Sequence, residues 1–506
     1  YIDTSNGNTE VENTNTLTVG THIIQCIAIK ETGAMSSTTK TIVVEPNVYG
    51  NLYKISDAEY HLIFNTTGDI AEGYTESQLA AKGTNIKNGS GYTTNSEGEN
   101  ISNQPWGAYS ENITKVKIEE EIKPKSTEHY FRNLSQITEI EGLYNLDTSS
   151  VTNMWCMFAG CYNLINLDVS NWNTSNVINM CDLFVNCHSL TSIDVSNWDT
   201  GKVENMQGVF GYCYNLESVN VSAWNTSNVV TMESTFLSCR NLTSIDVSEW
   251  DTGKVENMCT IFAYCEKLEK IDVSKWNTGS VRDMFGVFMN CLKLTSIALS
   301  KWDTSNVTNM EAIFLGCASL VSVNVSDWNT EKVETMHRLF SECISLTNVD
   351  VSKWKTSCVT NLDGTFYNCE ELTNLDLSGW DTNKVTTLEG MFANCLKLAS
   401  IDVSGWNTQN VENMLNLFAR CYKLTSLDLS SWDTSKVTNM SCMFDGANGL
   451  TKIYVGDKWS TTAVTSSISM FYNCTSLSGA IVFNSSKIDA TYANYTNGYL
   501  TYKANQ

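Results

Sequence analysis

The chain has 506 residues, three of them Pro, a formal charge of -23 and only 17% charged side chains, with Ser, Thr and Asn filling the difference. That length admits several domains or one long array. The acidic balance argues against nucleic acid and anionic membrane surfaces as partners, and the absence of any run of about 18 apolar residues excludes a spanning helix, so no membrane insertion is expected. The chain opens at Tyr1 in a polar stretch, without an initiator Met or signal peptide, and is expected to be a processed or excerpted part of a longer protein.

In residues 1–46, "HIIQCIAIK" and "KTIVVE" alternate in the strand manner with Gly-containing turns between them. The segment looks like the last strands of a bacterial immunoglobulin-like domain, and it is too short for a complete sandwich. Either the remainder lies upstream or a second chain supplies it, which would make residues 1–46 a point of self-association by strand complementation. Residues 47–125 combine strand-like "LYKISDAEYHLIFN" with a polar loop, "GTNIKNGSGYTTNSEGENISNQ", and are expected to form an N-terminal β cap.

From 126 to 450 one period governs the chain. Trp recurs every 26 residues from Trp172 to Trp432, and columns of Cys, Leu, Thr, Val and Phe keep step with it. A fixed period of this size predicts a solenoid, because one coil cannot bury its apolar face alone and stacked coils can. In the coil beginning at Cys187, Leu190, Ile193 and Val195 have strand spacing. Met206, Phe210 and Cys213 fall at i, i+4 and i+7, the spacing of a short helix. The Trp-Asp/Asn-Thr segment between them is rich in turn formers and predicts a corner. At about 4.8 Å per rung, eleven rungs would make a rod on the order of 50 Å long. The expected fold is an α/β solenoid, a leucine-rich-repeat-like right-handed coil stack with one strand and one short helix per 26-residue repeat, preceded by a partial β-sandwich segment. Residues 451–506 read as a degenerate last repeat and C-terminal cap, with Ala447 interrupting the Cys column.

The Trp column, Trp198, Trp224 and Trp250 among it, is expected to be a buried corner spine. The alternative is an exposed aromatic stripe that stacks on sugars. Of the 18 Cys, eleven form a column from Cys161 to Cys421 that includes Cys187, Cys213 and Cys239. Each site suits a small buried hydrophobe, so a mostly reduced thiol ladder is expected. Cys156 with Cys181 is the best pair for a disulfide outside the ladder. With no C-x-x-C and five scattered His, no metal site is expected.

Facing outward from the strand segments is a column that includes Asp168, Asp194, Asp246, Asp272, Asp350, Asp376, Asp402 and Asp428, beside an unbroken Ser column. Strand faces of repeat proteins commonly bind ligands. These carboxylates could hold Ca²⁺ as a cofactor or hydrogen-bond a glycan. They could equally finish each coil by bonding to neighbouring backbone. The residue after Trp alternates between Asn and Asp, broken at Lys355, which keeps like charges off adjacent rungs. No catalytic motif occurs: there is no HExxH, GxSxG or phosphate-binding loop.

The pattern C-x-x-L-x-x-I-D-V-S-x-W-[DN]-T-x-x-V-x-x-M-x-x-x-F resembles the BspA-type leucine-rich-repeat surface proteins, over about residues 111–506. The resemblance implies a secreted, extracellular bacterial cell-surface protein that is not an enzyme. It would be an adhesin binding host or neighbouring-cell proteins or glycans through the solenoid. The alternative is a structural subunit of a surface filament or phage virion fibre or tail, assembling through the N-terminal β segment.

Overall fold

The computed structural model describes residues 49–67, 69, 71, 73–82 and 107–504, with the backbone alone at 76, 80–82 and 108 and in the strands inside 1–48 and 83–106. The expected immunoglobulin-like segment therefore lies largely outside the described residues. Its strands are β1 (Ile2–Asp3), β2 (Thr9–Glu10), β3 (Gly20–Ile29) and β4 (Met35–Val44), an antiparallel set in the order β2-β1-β3-β4.

The next unit is a four-stranded sheet. β5 (Tyr49–Ser56) and β6 (Glu59–Asn65) form a hairpin, and β7 (Leu79–Lys82) pairs antiparallel with β5. After the short pair β8 (Tyr92–Thr94) and β9 (Asn100–Ser102), β10 (Ile113–Ile118) runs parallel to β6. β10 also faces the first coil, where Ile118 N–H donates to Glu141 O at 2.8 Å. One face of this sheet, Leu52, Leu62, Phe64, Val116 and Ile118, joins the same apolar core as the coils.

From there the coils stack in parallel, and two lines of backbone structure run along them. The first is the strand line. Its members are only two residues long in β11 (Ser192–Ile193) with β12 (Ser218–Val219), and in β13 (Ser296–Ile297) with β14 (Ser322–Val323). It lengthens at the far end, where β15 (Ser426–Leu429), β16 (Lys452–Val455) and β17 (Thr501–Tyr502) close the stack with three parallel strands.

The second line corrects the expected helix. Among the described residues there is no α-helix, only 3₁₀ turns at Glu76–Gln78, Gly107–Asn112, Leu143–Asn145 and Ala490–Tyr492. The Met-x-x-x-Phe-x-x-Cys segment is instead a ribbon of tandem turns. Met206, Gly208, Phe210 and Tyr212 donate their N–H groups to Thr231, Glu233, Thr235 and Leu237 of the next coil, at 2.6–3.1 Å. The residues between them close i→i+3 bonds: Val209 to Met206, Gly211 to Gly208 and Cys213 to Phe210. The chain can alternate in this way because two residues per coil adopt left-handed backbone, Gly208 at φ 61° and Tyr212 at φ 59°. The pattern repeats along the stack, and Asn or Gly often supplies the second position, as at Asn186, Asn290, Gly316, Asn368 and Asn394. A helix would need right-handed φ throughout. The spacing that suggested one survives, since each pair of turns also returns Met, Phe and Cys to the interior.

That interior is one continuous apolar cluster from Leu52 to Leu500. A Phe stack begins at Phe131 over Phe158, 5.3 Å apart, and ends where Phe471 meets the ring of Tyr499 edge-on at 5.2 Å.

Candidate functional site

The eleven indoles lie at the corner after the strand line. Trp198, Trp224 and Trp250 are 2–3% exposed, and from Trp172 to Trp380 successive rings lie 6.1–6.4 Å apart and within 12° of parallel. Each N–H needs a partner once buried. Trp198 Nε1 donates to Val169 O at 3.1 Å, and the same bond to the preceding coil recurs at Trp224 and Trp250. Buried this way, the indole faces are closed to sugars. Beneath the corner, Thr200 Oγ1 donates to Asn225 O at 3.0 Å, again linking coil to coil.

The thiols form a parallel device. Cys187, Cys213 and Cys239 are fully buried, and each Sγ donates to the carbonyl of the Phe in the preceding coil at 3.2–3.3 Å. Burial pushes the Cys213 thiol up to about 12 and that of Cys187 well above its ordinary value. All 17 described Cys are free thiols, Cys156 and Cys181 included, so those two are not bridged. The ladder also resumes past Ala447: Cys474 Sγ donates to Phe444 O at 3.0 Å, after a coil one residue longer than the rest.

The carboxylates of the strand line are exposed, except for half-buried Asp428. Each serves the turn that follows it. Asp194 Oδ1 accepts from Ser196 N–H at 3.1 Å and from Ser196 Oγ at 2.6 Å. The same Asp-x-Ser turn recurs at Asp168, Asp246, Asp350, Asp376 and Asp402. At Asp272 the backbone N–H of Ser274 donates at 3.0 Å. Asp428 adds an ion pair from its second oxygen to Lys503. The serine hydroxyls, and then the backbone N–H groups, hold Asp194, Asp246, Asp350 and Asp376 below the usual carboxylate range. One oxygen of each exposed carboxylate is thus committed to the coil while the other faces solvent. Among the described residues no three His, Cys, Asp or Glu side chains lie close enough together to hold a metal ion.

Two features escaped the sequence reading. Beside the Cys column, Tyr162, His188 and Tyr214 stack on one another at 4.8 and 4.5 Å, and Arg240 covers Tyr214 at 4.8 Å. His188 lies between the two tyrosines and Tyr214 between His188 and Arg240, so only Tyr162 keeps an outer face. The second is a slot of about 410 Å³ on the turn ribbon around Asp363, Gly364, Tyr367, Glu389 and Gly390. Its signal was available, as two Gly at the same register of adjacent coils, but a helical reading gives that register no meaning.

A stack of near-identical parallel coils with a shared apolar core is the architecture of a repeat protein. Matches to the family described as "Mycoplasma protein of unknown function, DUF285" fall at residues 125–236, 214–300, 287–400 and 365–487, and the chain belongs to that family. No curated protein matches it. Among solved structures, a crystal structure of a TLR13–ssRNA13 complex is 14% identical, covering 68% of this chain and 50% of that one, with a TM-score of 0.22. The chain thus spans half the length of that neighbour.

Proposed function

We propose that the chain is a non-catalytic binding scaffold displayed outside the cell, an adhesin that recognises an extracellular protein or glycan along the strand line. One observation carries this reading: a row of Asp and Asn side chains from Asp168 to Asp402, interrupted at Ala298, is fixed by turns to the Ser two residues on and offers one uncommitted polar group per rung, a carboxylate oxygen at Asp and an amide NH₂ at Asn220 and Asn324. A row fixed before contact loses little conformational entropy on binding. Repetition of one environment suits recognition spread over many rungs, whereas catalysis needs one site unlike its neighbours.

The test is binding of the purified chain to a panel of matrix proteins, mucins and glycans, with and without Ca²⁺. Saturable binding that falls about tenfold or more in an Asp194→Ala/Asp246→Ala/Asp272→Ala variant is expected; a tenfold loss corresponds to roughly 1.4 kcal/mol. A blank across the panel, or binding indifferent to those changes, would overturn it. The structural reading would then take its place, favoured by the ten-residue edge strand β4. Filaments lost on deletion of residues 1–46 would be its mark.

A further inference from the structure

The slot on the turn ribbon has a local cause. At the first left-handed position of the ribbon the coils carry, in order, Arg338, Gly364, Gly390 and Asn416. Among the described residues this is the one place where two adjacent rungs are both Gly at that register. Two missing side chains open a notch about two rungs, or roughly 10 Å, long. Arg338 bounds one end, its stem lying over Gly364, and Asn416 bounds the other. Over Gly390 the space is open except for the ring edge of Tyr367, 3.6 Å from where a Cβ would stand.

One wall is a row of titratable side chains at the position after Met or Leu. Glu311 Oε1 and His337 Nδ1 are 3.0 Å apart. Asp363 Oδ1 accepts from the Thr387 hydroxyl and from Glu389 N–H, and Glu389 Oε2 accepts from Asn413 Nδ2 at 2.8 Å. Each of these two carboxylates is therefore held by one oxygen and keeps the other without a protein partner. Tyr367 and Glu342 also line the slot. Asp363 is pushed up by burial, the condition of a carboxylate short of counter-charge.

We propose that this slot binds a protonated primary amine on an alkyl stem, the chemistry of a lysine side chain on a partner protein. An ammonium carries three donors and no acceptor, which matches the free oxygens of Asp363 and Glu389. The phenol ring of Tyr367, edge-on over Gly390, supplies an apolar wall for the stem. The carboxylates Asp363, Glu389 and Glu342 outnumber the one guanidinium, Arg338, since His337 is engaged by Glu311. This site lies on the turn ribbon, away from the strand line, so its fate is independent of the adhesin reading.

Nα-acetyl-lysine methylamide, and the norleucine analogue that lacks the ammonium, would be titrated into the full chain and followed by saturation-transfer NMR. The lysine compound should bind saturably and the norleucine analogue should not. Gly390→Asn fills the notch with the residue that Asn416 already places at this backbone conformation, leaving every charge in place. Asp363→Asn removes one acceptor charge and leaves the notch open. Each should weaken binding at least tenfold, with thermal melting confirming that both variants fold, while Asp246→Asn on the strand line should change nothing. Absence of saturable binding, equal binding of the norleucine analogue, or undiminished binding by either slot variant would overturn the proposal.

Discussion

The strand line and the turn ribbon pass through the same coils, but they hold the stack together differently. Before its far end the strand line has bridging strands only two residues long, and recurrent coil-to-coil links come from side chains, such as Trp250 Nε1 to Val221 O. On the ribbon the backbone itself does the linking, with every second N–H crossing to the next coil. The strand line therefore depends on which side chains it carries. The ribbon depends on which residues tolerate left-handed backbone.

The largest test of that contrast is Trp250→Ala. It removes a stacked ring from between Trp224 and Trp276 and the bond to Val221, and should cost about 3–5 kcal/mol in urea denaturation. A loss under about 1 kcal/mol would mean that the ribbon carries the stack alone.

Glycine separates the two lines more finely. Gly390 has φ 58°, whereas Gly405, near the Trp corner, has ordinary backbone with nothing within 4 Å of an added Cβ. Gly390→Ala should destabilise by about 1–2 kcal/mol through left-handed strain. Gly405→Ala should be neutral, or stabilise by about 0.4–1 kcal/mol through the unfolded chain. Equal effects on the melting temperature would refute the ribbon geometry.

Much of this was legible in the sequence, and the exception has a physical reason. The 26-residue period alone predicted a stack, and the Trp and Cys columns pointed inward because no other arrangement buries so much apolar surface. The ribbon was misread because Met206, Phe210 and Cys213 stand at i, i+4 and i+7 whether the chain turns by helix or by tandem turns. Apolar periodicity reports which side chains face in, and says nothing about the sign of φ. The distinguishing mark was the small or turn-forming residue before Cys, such as Asn186, Gly316 and Asn394. The strand-face aspartates were legible as a column. Their commitment to Asp-x-Ser turns was not, because the same spacing serves a ligand or a turn.

The smallest effect concerns those turns. Asp194, Asp246, Asp350 and Asp376 are held below the ordinary carboxylate range by their serines when folded. Their contribution is fully present above the unfolded value of about 3.9 and is lost as pH falls through the lower folded value. Thermal melting should therefore decline gently below about pH 4. Substituting Ala for Ser196, Ser248, Ser352 and Ser378 together should flatten that decline. An unchanged acid limb would show that these carboxylates owe nothing to their serines.

The thiol ladder gives the rod a one-way character. While the coils are closed, oxidants and alkylating agents find the column buried, so the redox poise of the surroundings does not matter to the native state. Once neighbouring coils part, the same sulfurs regain ordinary acidity side by side and can cross-link in any register. In an oxidising medium each complete opening then becomes a chemical dead end, and the lifetime of the protein is set by how seldom the stack opens, not by the balance between open and closed.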